Sequence, residues 1–424
     1  MTESTIVVAK PASRSRTLLG TGVGNALEWY DWGIYAVFAP FFAQQFFNAA
    51  DPFSAILSTL AVFAVGFLAR PVGAWLFGLI ADRQGRRMAM TLSVGGAAVG
   101  SLAIGLSPTY AVVGAGASLI LLTARLVQGL AHGGEMPSAQ TYISEMAPAR
   151  RRGMWASLMY FSGTLGTIAG TGVGAVLTMV LSTQQMNSWG WRLPFVLGGI
   201  LGLYALVMRR RMSETEVFRT ARTAREPMWA AIVRHRRQAL QVIGMTVGLT
   251  VSYYAWAVSA PQYAISARGV DPTGALWAGL LANVVFIAVL PLWGALADRI
   301  GRKPVMLISA GGMALAIFPL DGMIGSSAVR LFVAMSVAMV LIAASAAIAP
   351  AVYCEMFPTH IRTVGVGIPY AVAVATFGGT APYLQTWVGQ SFGATWFTGY
   401  IAALLLISAV IVTTLPETRG RELD

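Results

Sequence analysis

Twelve mostly apolar stretches, each long enough to cross a bilayer as a helix, divide this chain at 17–47, 53–80, 88–107, 112–146, 154–182, 192–208, 238–265, 274–297, 304–324, 329–355, 364–388 and 393–414. A hydrocarbon core of ~30 Å is crossed by about 20 such residues, and inside it each backbone N–H and C=O has to be satisfied by the segment itself. Runs of this length therefore have to be helices. Only 11% of the 424 residues are charged, and mean hydropathy is +0.66; a soluble chain would carry roughly a quarter charged residues. An all-α membrane protein with twelve transmembrane helices is expected.

A net charge of +12 raises the question of nucleic acid, and the placement of the charge answers it. With the N-terminus in the cytoplasm, 24 of the 29 basic residues fall on one side. They are Lys10, Arg14 and Arg16; Arg83, Arg86 and Arg87; Arg150, Arg151 and Arg152; Arg299, Arg302 and Lys303; Arg362; Arg419 and Arg421; and nine arginines between 209 and 237. The opposite loops keep Arg192, Arg268 and Arg330. This is the positive-inside pattern: it sets topology and contacts anionic lipid headgroups, and no nucleic-acid partner is expected. A multi-pass protein of the cell inner membrane with both termini cytoplasmic follows. The first sixteen residues hold no apolar core suited to a cleaved signal, so span one is expected to target the chain. Cys354 is alone, which excludes an intrachain disulfide or a cysteine metal site.

The spans are duplicated. FGLIADRQGRRMAM at 77–90 recurs as WGALADRIGRKPVM at 293–306, setting Asp82 and Asp298 216 residues apart. YISEMAP at 142–148 is echoed by YCEMFP at 353–358, and SET after span six by PET after span twelve. Offsets near half the chain imply two six-helix bundles, at 1–208 and 238–415, with a cytoplasmic linker at 209–237 and a cytoplasmic tail at 416–424.

The repeated G-x-x-A-D-R-x-G-R-[RK], the stretch ARLVQGLAHGGE in span four and the terminal PETRG resemble the major facilitator superfamily. GNALEWYDWGIY, FLARPVGAWLFG, GGEMPSAQTYISEMAPARRRG and WGWRLPF are similar to its metabolite:proton symporter branch, which includes α-ketoglutarate permeases, citrate and shikimate carriers and proline/betaine carriers. The resemblance covers essentially the whole chain and implies the major facilitator fold and alternating access. Osmosensing betaine carriers end in a long coiled coil; this chain stops nine residues after Leu415, which counts against an osmosensor.

An ionisable side chain within a span is costly unless paired or wetted, so each is a functional candidate. Glu28 and Asp31 in span one, Arg70 in span two and Glu135 in span four all sit ~16–21 Å from the arginine-rich ends of their helices at 1.5 Å per residue. Arg70 offers a planar fork suited to a substrate carboxylate, and Glu28, Asp31 and Glu135 are the candidate proton carriers. The competing reading is a permanent strut between Arg70 and Asp31 or Glu135. Arg125, in the RLVQG stretch that the resemblance associates with proton transfer, lies ~33 Å from that end, where it could snorkel to the outer surface. His132 stands one turn from Glu135, where packing is favoured over a relay.

The second half offers polar and aromatic candidates: Tyr253, Tyr254 and Gln262 in span seven, Asn283 in span eight and Tyr370 in span eleven, joined from the first half by Tyr30 and Tyr160. Each has an ordinary alternative in interhelical hydrogen bonding or interfacial placement. Asp82, Arg86, Glu145, Asp298, Arg302 and Glu355 stand at matching cytoplasmic ends and are expected to form gate salt bridges. No P-loop, H-E-x-x-H or G-x-S-x-G is present, so neither an enzyme nor a pump is expected, and no cofactor or metal. The leading expectation is a monomeric proton-coupled symporter importing a small organic acid such as α-ketoglutarate. Proline/betaine or aromatic-acid carriage and proton-driven efflux are the alternatives.

Overall fold

The computed structural model describes residues 14–47, 51–84, 86–133, 135–210, 233–358 and 361–423, and the described residues form twelve helical spans without strands. Span one is Arg14–Phe46, three Arg86–Gly105, five Arg152–Val180, six Arg192–Arg210, eight Pro272–Ile300, nine Arg302–Met323, ten Ala328–Glu355 and twelve Ala394–Thr413. The other four are interrupted: span two is Pro52–Leu68 then Arg70–Gln84, and span four Ala115–His132 then Glu135–Met146. Span seven passes through a π-helical turn at Tyr254–Ser259, and span eleven through one at Val374–Gly378.

Local chemistry accounts for these boundaries. Asp51 caps span two by accepting from the Phe53 N–H, and Asp271 caps span eight by accepting from Gly274 at 2.8 Å, each followed by proline at the first helical position. The interruption at Ala69 lies two residues before Pro71, which has no N–H to donate to the Phe67 carbonyl and whose ring crowds that carbonyl. Pro261 follows the π-helical turn of span seven and cannot donate to the Ala257 carbonyl. Asn283 Nδ2 of span eight donates there instead at 3.2 Å, so this side chain repairs a gap in its neighbour's backbone ladder.

Large apolar side chains point outward from the bundle, Leu315 at 83% exposure and Val112 at 75% among them. Such a surface is stable in lipid, not in water. Nine helices among the described residues meet a hydropathy criterion for crossing a membrane, and span three contributes a shorter apolar helix at Thr91–Gly105. Spans one and four fall below it, and these carry Asn25, Glu28, Asp31, Arg125, Gln128 and His132.

Span one packs on span five, span three on six and four, and span two on four. In the second half, span eight packs on ten, nine on ten and twelve, and seven on twelve and eleven. Contacts across the midline run from span five to spans eight and ten, from one to seven, from two to eleven and from four to ten and eleven. Spans one and five approach so closely that a Cβ on Gly166 would fall on the Ala26 carbonyl. Overpacking a core costs ~1–3 kcal/mol and occasionally more, and here the obstacle is backbone that cannot rotate away. Gly166→Leu is expected to leave little folded protein, seen as a lost monodisperse peak on size exclusion in detergent; a wild-type profile and melting temperature would show that the helices can part.

Candidate substrate and proton site

Arg70 opens the second segment of span two and is 8% exposed. Its guanidinium lies against two rings, 4.3 Å from the Trp32 centroid and 4.2 Å from that of Phe67, and its Nη2 is 3.2 Å from Glu28 Oε1. Aromatic faces and one carboxylate thus hold a buried cation. Among the described residues the partner is Glu28 and not Asp31, one of the two partners in the strut reading; the Glu135 side chain lies outside the described residues.

Glu28 and Asp31 part company. Asp31 Oδ1 accepts from Ser101 Oγ at 2.7 Å, Ser101 Oγ accepts from Gln128 Nε2 at 2.8 Å, and Gln128 Oε1 accepts from Arg125 Nη1 at 2.9 Å. Two neutral side chains therefore link Asp31 to Arg125. The snorkelling expectation for Arg125 is corrected: it is fully buried, with its guanidinium 3.9 Å from the Trp32 centroid and 4.3 Å from that of Tyr35. Rings supplied by span one take the place of water. His132 Nε2 stands 3.9 Å from Asp31 Oδ2, so the histidine meets the charge chain as well as packing.

Where the halves meet, Arg70, His132, Gly133 and Met136 face Tyr370, Ala371 and Val374 of span eleven across a cavity of about 20 Å³. That is room for about one water, so the centre is closed around Arg70. The Tyr370 hydroxyl donates to Met136 Sδ at 3.5 Å. Trp29, Tyr160 and Tyr253 meet edge to face, with centroids 5.3 Å apart for Trp29 with either tyrosine and 5.7 Å for the two tyrosines. Tyr254 stands edge-on to Phe67 at 5.3 Å. Other candidates are engaged away from this centre: Tyr30 donates to the Pro194 carbonyl at 2.9 Å, Gln262 to Ser266 Oγ at 3.1 Å, and Asn283 to Ala257.

The arginine-rich end is closed by crossed ion pairs. Arg152 of span five meets Glu355 of span ten at 2.9 Å, and Arg362 of span eleven meets Glu145 of span four at 2.6 Å. Arg302 bridges Asp298 at 2.7 Å and Glu355 at 3.4 Å, while Asp298 accepts from the Gly153 and Met154 N–H groups. The C-terminal residues complete the seal: Thr418 Oγ1 donates to Glu355, and the Arg421 carbonyl accepts from Arg152 at 2.8 Å. The side chains of Asp82 and Arg86 lie outside the described residues. Arg152, Arg362 and Thr418 were not among the sequence candidates. A signal existed, since Glu145 to Arg152 and Glu355 to Arg362 are both seven-residue spacings.

Glu417 caps the start of span nine by accepting from the Arg302 and Lys303 N–H groups, and it also accepts from Thr418 and Arg419. Burial alone would raise its carboxyl, but these four backbone donors outweigh burial and hold it below the ordinary glutamate range. Gly301 turns into this cap at φ 109°, and a Cβ there would meet the Glu417 carboxylate. A lowered folded value means the stabilisation is complete above the unfolded pKa and is lost as pH falls through the folded one. Glu417→Gln is therefore expected to melt below wild type at pH 7, with the gap closing as pH falls through that lowered value. A gap independent of pH would show that charge plays no part.

The description Major Facilitator Superfamily matches residues 21–290, and Sugar (and other) transporter matches 212–424. The chain is 34% identical to the Alpha-ketoglutarate permease of Escherichia coli (strain K12), over 99% of both proteins. It is 32% identical to a Putative proline/betaine transporter of Staphylococcus haemolyticus, over 96% of this chain and 89% of that one. Among solved structures, a D-xylose-proton symporter superposes with TM-score 0.74 at 21% identity, covering 97% of this chain and all of that one. A twelve-helix bundle in two halves, spanning the membrane and with a closed polar centre, accords with these likenesses: the chain belongs to the major facilitator superfamily, a family of membrane transporters.

Proposed function

We propose that this protein is a carrier, not an enzyme, and that it imports a small organic acid such as α-ketoglutarate together with protons across the cell inner membrane by alternating access. The single observation that supports this most is the ion pair of Arg70 and Glu28 beside a cavity shared by both halves. Unit charges ~4 Å apart attract by about 4 kcal/mol at an effective dielectric of ~20, so an incoming carboxylate cannot readily displace an ionised glutamate. A proton on Glu28 removes that competitor and frees Arg70 to receive the substrate carboxylate through its planar fork. Substrate and proton then bind together, and the proton offsets the ~2.3 kcal/mol per charge that opposes anion import at 100 mV. In this reading residues 1–208 and 238–415 are the moving halves, 209–237 links them, and the arginine-rich end with both termini faces the cytoplasm. The likeness to the permease over the full chain supports the substrate class.

A second reading is a zwitterion of the proline/betaine type. It is favoured by the edge-to-face trio of Trp29, Tyr160 and Tyr253, because aromatic faces attract quaternary ammonium groups. Uptake of labelled α-ketoglutarate, proline and glycine betaine into proteoliposomes under an imposed pH gradient separates the two. Accumulation of α-ketoglutarate, abolished by a protonophore, is expected; accumulation of betaine alone would transfer the assignment to the second reading.

A further inference from the structure

At the face opposite the arginine-rich end, Pro52, Phe53 and Ile56 of span two, Ser266 of span seven, and Thr386 and Gln390 of span eleven enclose a cavity of about 220 Å³. Drug-sized ligands occupy ~300–1,000 Å³, so this space suits a metabolite. It is separate from the cavity at Arg70. Along span two, Phe67 comes between Ile56 and Arg70, and the Phe67 ring meets Tyr254 edge-on. Backbone closes in from the other half, since a Cβ on Gly379 would meet Phe67. Along the helix axis of span two, the Phe67–Tyr254 pair therefore lies between the outer cavity and the central arginine.

The outer cavity has unmet hydrogen-bonding capacity. Thr386 is 2% exposed, and its Oγ1 has no hydrogen-bond partner among the described residues. Gln390 is exposed at the rim and brings two further N–H donors. None of the lining residues is charged. We infer that this cavity is an outer antechamber, in which hydroxyl and amide donors at Thr386 and Gln390 hold the oxygen atoms of an arriving small organic acid before the Phe67–Tyr254 pair opens toward Arg70. The chemical class of its ligand rests on the organic-acid reading above. Neutral donors suit a waiting site, because they engage an oxygen without the strong binding that would hinder onward movement to the guanidinium.

The test uses full-length protein in right-side-out membranes, where Cys354 is buried and leaves a quiet background for thiol chemistry. Pro52→Cys, at an exposed lining position that is neither of the two donors, is expected to react with a membrane-impermeant methanethiosulfonate added outside, and α-ketoglutarate should slow the reaction. The protection should persist when Arg70→Ala is added, or Arg70→Gln with Glu28→Gln if the alanine variant does not fold. Thr386→Val should raise the half-protecting concentration by about fivefold, the loss of one neutral hydrogen bond. Protection that vanishes with the Arg70 substitution would mean that only central binding is sensed and would overturn the antechamber. A Pro52→Cys thiol that does not react, or whose reaction neither α-ketoglutarate nor glycine betaine slows, would overturn it too. Protection by betaine alone would overturn the organic-acid ligand class. Transport surviving in Arg70→Ala would instead overturn the central reading, leaving the Thr386→Val comparison to decide this one.

Discussion

Arg70→Lys is expected to weaken substrate binding by roughly ten- to a hundredfold, and Arg70→Ala to abolish uptake. A hydrogen bond to a charged group contributes ~1.5–3 kcal/mol, and each 1.4 kcal/mol is tenfold in affinity. Lysine keeps the charge but loses the fork, together with the planar stacking on Trp32 and Phe67. Binding measured calorimetrically in detergent checks the first effect, and proteoliposome uptake the second. A strut makes a different forecast: Arg70→Gln combined with Glu28→Gln would then restore folding and binding together. If Arg70 instead receives the substrate, the double substitution restores folding alone, since the cavity then has no arginine in its lining. Full affinity in Arg70→Lys would sink the forked-anion reading.

The second large effect concerns the crossed ion pairs. Glu355 is the shared acceptor of Arg152, Arg302 and Thr418, and it is 4% exposed. Removing one partner of a buried pair typically costs ~3–5 kcal/mol because the other charge is left unpaired. All of that cost falls on the conformation in which the halves meet at this end. Glu355→Ala is therefore expected to shift the population toward opening there, by a factor of a hundred or more at about 1.4 kcal/mol per tenfold. The readout is a cysteine introduced by Ser144→Cys, at a position buried beside the Pro350 carbonyl, which should become reactive to thiol reagents from that side. Reactivity no higher than in the parent with Glu355 intact would show that the ion pairs do not hold this end shut. A milder variant, Glu355→Gln, keeps the side-chain volume and should lie between the two.

Length and hydropathy made nine of the twelve spans plain, whereas spans one and four are diluted by the polar residues they carry and span three gives only a shorter apolar helix among the described residues. The candidate site was legible by depth but not by direction. Glu28 and Asp31 are three residues apart, which at 3.6 residues per turn separates them by about 60° around the helix. That is enough for one to meet Arg70 in span two and the other Ser101 in span three. Arg125 shows the same limit: its distance from the helix end suggested the outer surface, whereas Trp32 and Tyr35 from another span enclose it. Asn283 was a candidate ligand by residue type, yet the carbonyl it satisfies is exposed by a proline in a different helix. The ion pairs at the arginine-rich end were anticipated one partner at a time. Pairing across the midline depends on how the repeats face each other, and spacing within each repeat does not encode it.

Coupling, on this mechanism, comes down to Glu28 and the substrate carboxylate competing for one guanidinium, with a proton deciding between them. Equilibrium affinity for α-ketoglutarate, measured as a function of pH in wild type and in Glu28→Gln, tests this most directly. Wild-type affinity should rise as pH falls, because protonation removes the competing carboxylate. Glu28→Gln should bind tightly throughout the range with its pH dependence lost, while failing to concentrate substrate under a pH gradient. The same pH dependence in both proteins would contradict the claim and move proton coupling away from the Arg70–Glu28 pair.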